Sequence, residues 1–134
     1  MNIYIYISQN NGINIDKIMT EINNIHSNIK FTLETEEINK LNYLDITIIN
    51  KEPHFEYAIY RKPTHTDLII PNSSNHPPQH KMAAFNYLLR RMIKIPLNEQ
   101  ERNKERNIIH QIANVNGYKI NTIIKLEQKI KNKI

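Results

Sequence analysis

The 134-residue chain contains no cysteine and no tryptophan, and only two glycines. Without cysteine there can be no disulfide framework, zinc ribbon or thiol nucleophile, so redox chemistry is excluded, and the usage fits a reducing intracellular compartment, nuclear or cytoplasmic. Long apolar runs are also missing. The N-terminal stretch Ile3 to Ile7 alternates isoleucine with tyrosine and is far shorter than a bilayer span, so neither a signal peptide nor an anchor is expected, and no membrane partner. Aspartates are few: Asp16, Asp45 and Asp67, none adjacent to another. A two-metal polymerisation centre needs clustered carboxylates to hold its divalent ions. No such cluster is visible, and no catalytic residue, metal site or cofactor is expected.

What is present suits one compact domain or two small subdomains, since 40% hydrophobic content can bury an ordinary core at this length. Isoleucine and asparagine are over-used in a way that AT-rich codons explain, so neither counts as a functional signal unless its position supports it. Charge is distributed unevenly. Residues 1–80 carry six Lys/Arg against nine Asp/Glu, whereas residues 81–134 carry twelve against four. A concentrated positive region attracts polyanions and supplies sequence-independent phosphate contacts, which makes nucleic acid the leading partner class. The competing reading is a lysine-rich solvated helix surface.

Periodicity divides the chain further. Met1 to Ser8 reads as a strand, followed by a turn at Gln9-Asn10-Asn11-Gly12. Asn14 caps a helix with Ile15, Ile18, Met19, Ile22 and Ile25 on one face, ending near His26 to Asn28. Lys30 to Glu34, Leu41 to Ile49 and His54 to Tyr60 follow as strand-like segments, the last two joined as a hairpin through Asn50-Lys51-Glu52-Pro53. Arg61 to Pro78 holds four prolines and reads as an irregular loop. Pro77-Pro78 opens a helix to about Lys94, with Met82, Phe85, Leu88, Leu89 and Met92 apolar. Asn98, spaced to Glu101 as in a capping box, starts a helix carrying Ile108, Ile109 and Ile112 to a stop at Asn116-Gly117. A last helix from about Asn121 turns Ile124, Leu126 and Ile130 inward. The expected class is α+β: a small N-terminal sheet with one helix over residues 1–70, a Pro/Ser/His-rich loop over 71–80, and a basic bundle of about three helices over 81–134.

Three blocks then stand out: Leu41-Asn42-Tyr43-Leu44-Asp45-Ile46-Thr47-Ile48, Tyr60-Arg61-Lys62-Pro63-Thr64-His65-Thr66-Asp67, and Ser73-Ser74-Asn75-His76-Pro77-Pro78-Gln79-His80-Lys81. In order and spacing they resemble the region downstream of the catalytic centre in reverse transcriptases of Penelope-like and related retroelements, with Tyr43 where phenylalanine is usual. Ile109 to Tyr118 is similar to that family's helix-turn-helix. The resemblance implies a residual palm with a strand at Leu44-Asp45 pairing with the one that leads into Tyr60, then a helical thumb. It also implies that the catalytic aspartates precede this segment, so no polymerase activity is expected of the chain alone. Tyr60, Arg61, Lys62 and Thr64 would grip a template–primer duplex, RNA–DNA or DNA. A further expected partner is the polymerase region that comes before this segment in the family.

Each basic cluster has a plainer reading beside the functional one. Arg61-Lys62 can be an exposed strand end, while Arg90, Arg91 and Lys94 near a helix C-terminus are favourable there without any ligand. His76 and His80 are four apart, but two prolines intervene, so ordering of the loop by their hydrogen bonds is expected rather than a metal, with Lys81 reaching a phosphate. Lys125, Lys129 and Lys133 recur every four residues as a stripe, and Lys119 adds charge. If Asn121 to Lys133 is a recognition helix, Asn121, Thr122 and Lys125 lie where base edges are reached. It has no arginine, the commonest reader of guanine. Backbone-directed binding is therefore expected, with two alternatives: a structural or protein-interaction domain derived from a retroelement, or a helix-turn-helix DNA-binding module.

Overall fold

The computed structural model describes residues 14–64 and 66–133. The expected Met1–Ser8 strand and its following turn lie outside them. The chain separates into two compact units, Met1–Thr35 and Glu36–Ile134.

In the first unit, Asn14 caps helix α1 (Ile15–Asn24) by accepting a hydrogen bond from the Lys17 amide at 3.1 Å. Ile15, Ile18, Met19 and Ile22 are half-buried on one side, while Ile25, past the helix end, is exposed. The strand expected over residues 30–34 does not form among the described residues. Its backbone is engaged otherwise: the Asn23 side chain accepts from the Phe31 amide at 2.6 Å and donates to the Phe31 carbonyl at 3.3 Å. One side-chain amide thus satisfies both polar groups that a ladder would have used.

The second unit opens with an antiparallel sheet in the order β1 (Lys40–Tyr43), β2 (Ile46–Lys51), β3 (His54–Ile59). The Asn50–Pro53 hairpin is present, with Lys51 opposite His54 across the turn at Glu52-Pro53. The single strand expected over Leu41 to Ile49 is instead two strands. Leu44 at φ +54 and Asp45 form a two-residue turn that pairs Tyr43 with Ile46. Leucine is disfavoured at positive φ, which is why the composition carried no turn signal here. The block Tyr43-Leu44-Asp45 is therefore a strand end and a turn; the strand that pairs with the one leading into Tyr60 begins just after it at Ile46, and the Asp45 carbonyl adds one bond by accepting from the Tyr60 amide at 2.9 Å.

Three helices complete the unit: α2 (Pro78–Lys94), α3 (Glu99–Val115) and α4 (Ile120–Lys131). Pro78 begins α2, where its missing N–H costs nothing, and Asn98 caps α3 by accepting from the Glu101 amide at 2.8 Å. Arg102 donates to the carbonyls of Met92 and Leu97 beyond, at 3.1 and 3.2 Å, satisfying acceptors left open at the end of α2. The core is formed by Phe85, Leu88, Leu89 and Met92 of α2, Ile109, Ile112 and Ala113 of α3, and Ile123 and Ile130 of α4, joined by Leu97 and Tyr118; Tyr57 and Ile59 of β3 pack against it. On α4 the inward isoleucine is Ile123, fully buried, rather than the expected Ile124, which is 37% exposed. The α+β architecture, with a small sheet followed by a three-helix bundle, is as the periodicity predicts.

Candidate nucleic-acid interface

The turn between α3 and α4 is built by Gly117, at φ +78, which lets the chain leave α3 in the left-handed conformation that ends many helices. Tyr118 follows and turns inward, its ring edge-on to Phe85 with centroids 5.0 Å apart. Its hydroxyl donates to the Ile70 carbonyl at 2.5 Å, and burial raises its pKa above the usual tyrosine value. Asn72 fastens the same turn, since its amide N–H donates to the Asn116 carbonyl at 2.9 Å and its side chain to the Gly117 carbonyl at 3.0 Å. The loop before α2 therefore sets the geometry of a turn some 45 residues later in the chain.

Two buried acids organise the bundle. Glu105 on α3 is 3% exposed and accepts a two-pronged hydrogen bond from the Arg61 guanidinium, one arm at 2.6 Å, with Arg91 of α2 at 3.8 Å. The bond to Glu105 raises the Arg61 pKa against the opposing effect of burial, and the charges of Glu105 and Asp67 add to the rise. Glu127 on α4 is 5% exposed, with Lys131 at 2.7 Å and Arg106 of α3 at 3.2 Å. Burial would raise its pKa, but the bonds from Lys131 and Arg106 and their charges outweigh this and leave it lowered. Neither acid was anticipated, although a signal exists. Glu105 shares a stripe with Ile109 and Ile112, and Glu127 lies between Ile123 and Ile130, so each acid occupies a core position of its helix.

These acids sort the basic residues singled out from sequence. Arg61 and Arg91 come together at Glu105; Arg91 also lies 5.4 Å from the centre of the Tyr87 ring, and the Tyr87 hydroxyl donates to Asp45 at 3.0 Å. Tyr60 is half-buried, with its backbone N–H donating to the Asp45 carbonyl at 2.9 Å. Lys62 and Thr64 are exposed. Lys81 reaches back to the Asn72 carbonyl at 2.7 Å, and His76 Nδ1 lies 3.1 Å from the Ser74 hydroxyl, so both help to order the loop. Arg90 and Lys94 are exposed in line with Tyr87 on the outward side of α2. Lys119, Lys125, Lys129 and Lys133 are exposed at and along α4, with no ion pair among the described residues. No set of three or more His, Asp or Glu residues able to hold a metal occurs among the described residues.

Two helices separated by a glycine turn, the second presenting an exposed basic face, make a recognisable unit. Residues 68–129 match the animal helix-turn-helix domain. The match takes in the loop that holds Ile70 and Asn72, all of α2 and α3, and α4 as far as Lys129, just under half of the chain. It begins where the loop starts to fasten the turn. A helix-turn-helix domain suggests nucleic-acid binding in general. No curated protein and no solved structure matches the chain. None of the described helices is long and apolar enough to cross a membrane.

Proposed function

We propose that this protein is a non-catalytic nucleic-acid-binding module that holds a duplex, RNA–DNA or DNA, mainly by its backbone. The observation that carries this reading is the division of labour among the cations. Arg61, Arg91, Arg102 and Arg106 are engaged by internal carboxylates and carbonyls, whereas Lys125 and Lys129 on α4, with Lys119 just before it and Lys133 just after, are exposed with no ion pair among the described residues. Lysines left to solvent along one helix face neutralise phosphates without demanding a sequence. Lys62, Arg90 and Lys94 supply further exposed charge beside the sheet and along α2.

The same reading assigns the chain a retroelement origin, as a piece of reverse transcriptase from beyond the catalytic aspartates. Its support is the order of the blocks Tyr60 to Asp67, Ser73 to Lys81 and Ile109 to Tyr118. In this reading Arg61 acts indirectly, since its bond to Glu105 fixes the segment that displays Lys62 and Thr64.

The test is a titration of fluorescently labelled DNA and RNA–DNA duplexes at several salt concentrations. Affinity should fall steeply as salt rises, because each neutralised phosphate releases counterions. A flat salt dependence, or no binding at low salt, would remove the reading.

A further inference from the structure

The outward line of α2 carries an aromatic ring that the fold holds in place. Ala83, Tyr87, Arg90 and Lys94 are the exposed residues of this helix after His80, and at 3.6 residues per turn all four fall on one side. Tyr87 is 55% exposed within that line. Its hydroxyl donates to Asp45 at 3.0 Å, and the Arg91 guanidinium lies over one ring face, 5.4 Å from the centre. Arg91 is itself only 13% exposed and turns toward Glu105, so the face it covers is the inner one. The exposed half of Tyr87 is therefore the opposite face. Leu44, the neighbour of Asp45, is also exposed and adds apolar surface at the hydroxyl end of the ring. Arg90 and Lys94 have no ion pair among the described residues, and α2 contains no acid. Phe55 is exposed to a similar degree, but its strand carries Glu56 and neither lysine nor arginine. A fixed ring with one open face and only positive charge along its helix occurs at Tyr87.

We propose that Tyr87 is a stacking platform for an unpaired base, with Arg90 and Lys94 neutralising phosphates of the same strand, so that α2 binds single-stranded nucleic acid. This goes beyond the duplex reading above and does not use the α4 lysines. An unpaired base can lie flat on an aromatic face, whereas inside a duplex both faces of each base are already covered by its stacked neighbours. Stacking is tolerant of sequence because every base has a π-face, and cations along the same groove or helix track the backbone. Arg90 and Lys94 follow Tyr87 by three and seven residues, within about two turns, so both lie near a strand whose base rests on the ring. The ties to Asp45 and Arg91 matter for affinity as well as for position. A side chain that is already immobile loses little rotamer freedom when it binds. The bond to Asp45 by itself accounts for the tyrosine hydroxyl, but not for a ring displayed to solvent among unpaired cations.

The experiment uses the full chain and three probes at one salt concentration: a thymidine oligonucleotide, an abasic oligonucleotide with the same number of phosphates, and a blunt DNA duplex. The thymidine strand should bind at least about 5-fold more tightly than the abasic one, the lower end for stacking of one base on an aromatic side chain. Tyr87→Ala should bring it to the abasic level and leave duplex affinity unchanged. Tyr87→Phe keeps the ring without the bond to Asp45, so its preference for bases should persist. Equal affinity for the two strands would overturn the platform. So would a preference that survives Tyr87→Ala, or one that is lost in a folded Tyr87→Phe. If the strands are equal while the duplex still binds, only the platform fails; if the duplex alone does not bind, only the duplex reading fails. No binding to any probe would remove both.

Discussion

The carboxylate of Glu105 and the guanidinium of Arg61, 44 residues apart in the chain, meet in a two-pronged hydrogen bond inside the second unit. This contact ties the end of β3 to the middle of α3. It converts a residue that looks from sequence like a phosphate contact into one that holds the sheet on the bundle. Removing one partner of a buried pair leaves the other charge without compensation, which costs about 3 kcal/mol or more. Glu105→Ala and Arg61→Ala should each lower stability by that order in urea denaturation. The double variant should lose much less than the sum. Additive losses would show that the pair does not interact as described.

Lys125 and Lys129 should behave differently from Lys131, although all three are on α4. Alanine at either of the first two should leave stability within about 0.5 kcal/mol, as for exposed positions in general. It should also reduce the slope of log affinity against log salt by about 0.9 for each phosphate that the variant no longer neutralises. Lys131→Ala removes a partner of buried Glu127, so its main effect should appear in thermal denaturation. A stability loss at Lys125 equal to that at Lys131 would contradict this assignment.

Tyr118 should titrate above the ordinary tyrosine range. Burial raises its pKa in the folded protein, so the stability it contributes is fully present below the ordinary tyrosine pKa and is lost as pH rises through the folded value. Ultraviolet titration should show a late ionisation step above the ordinary tyrosine range that belongs to Tyr118. Tyr118→Phe should remove that step and cost about 1 kcal/mol by deleting the hydrogen bond to Ile70.

Acid should loosen the second unit through Glu56 and Glu127. Both have lowered pKa values, Glu56 through its bond from Lys51 and Glu127 because its basic partners outweigh burial. Their contribution is present above the ordinary glutamate value of 4.5 and is lost as pH falls through the lower folded values. Denaturation midpoints should therefore hold steady above the ordinary glutamate value of 4.5 and drop as pH falls below it. In Glu127→Gln the neutral midpoint should be lower and the acid drop smaller. An unchanged acid dependence in this variant would exclude Glu127 as a contributor.

Helix positions and caps were legible because they depend on near neighbours. Asn14 and Asn98 cap as their spacing implies, Pro78 opens α2, Gly117 ends the turn, and Phe85, Leu89, Ile109 and Ile112 fill the core. The split at Leu44-Asp45 was not legible, because a leucine at positive φ departs from local preference and tertiary contacts must impose it. Asp45 is held from two directions, by the Tyr60 amide and the Tyr87 hydroxyl.

Sequence by itself determined the α+β class, the helix boundaries and the concentration of positive charge after residue 80, since these follow from periodicity, capping and composition. Only the tertiary structure decided which cations remain outside. A guanidinium beside a buried carboxylate has its charge balanced within the fold, and neither Arg61 nor Arg91 shows this in its local sequence. The carboxylate they share, Glu105, comes from a helix that begins 38 residues after Arg61 and 8 after Arg91. Burial therefore left α4 to present the lysines.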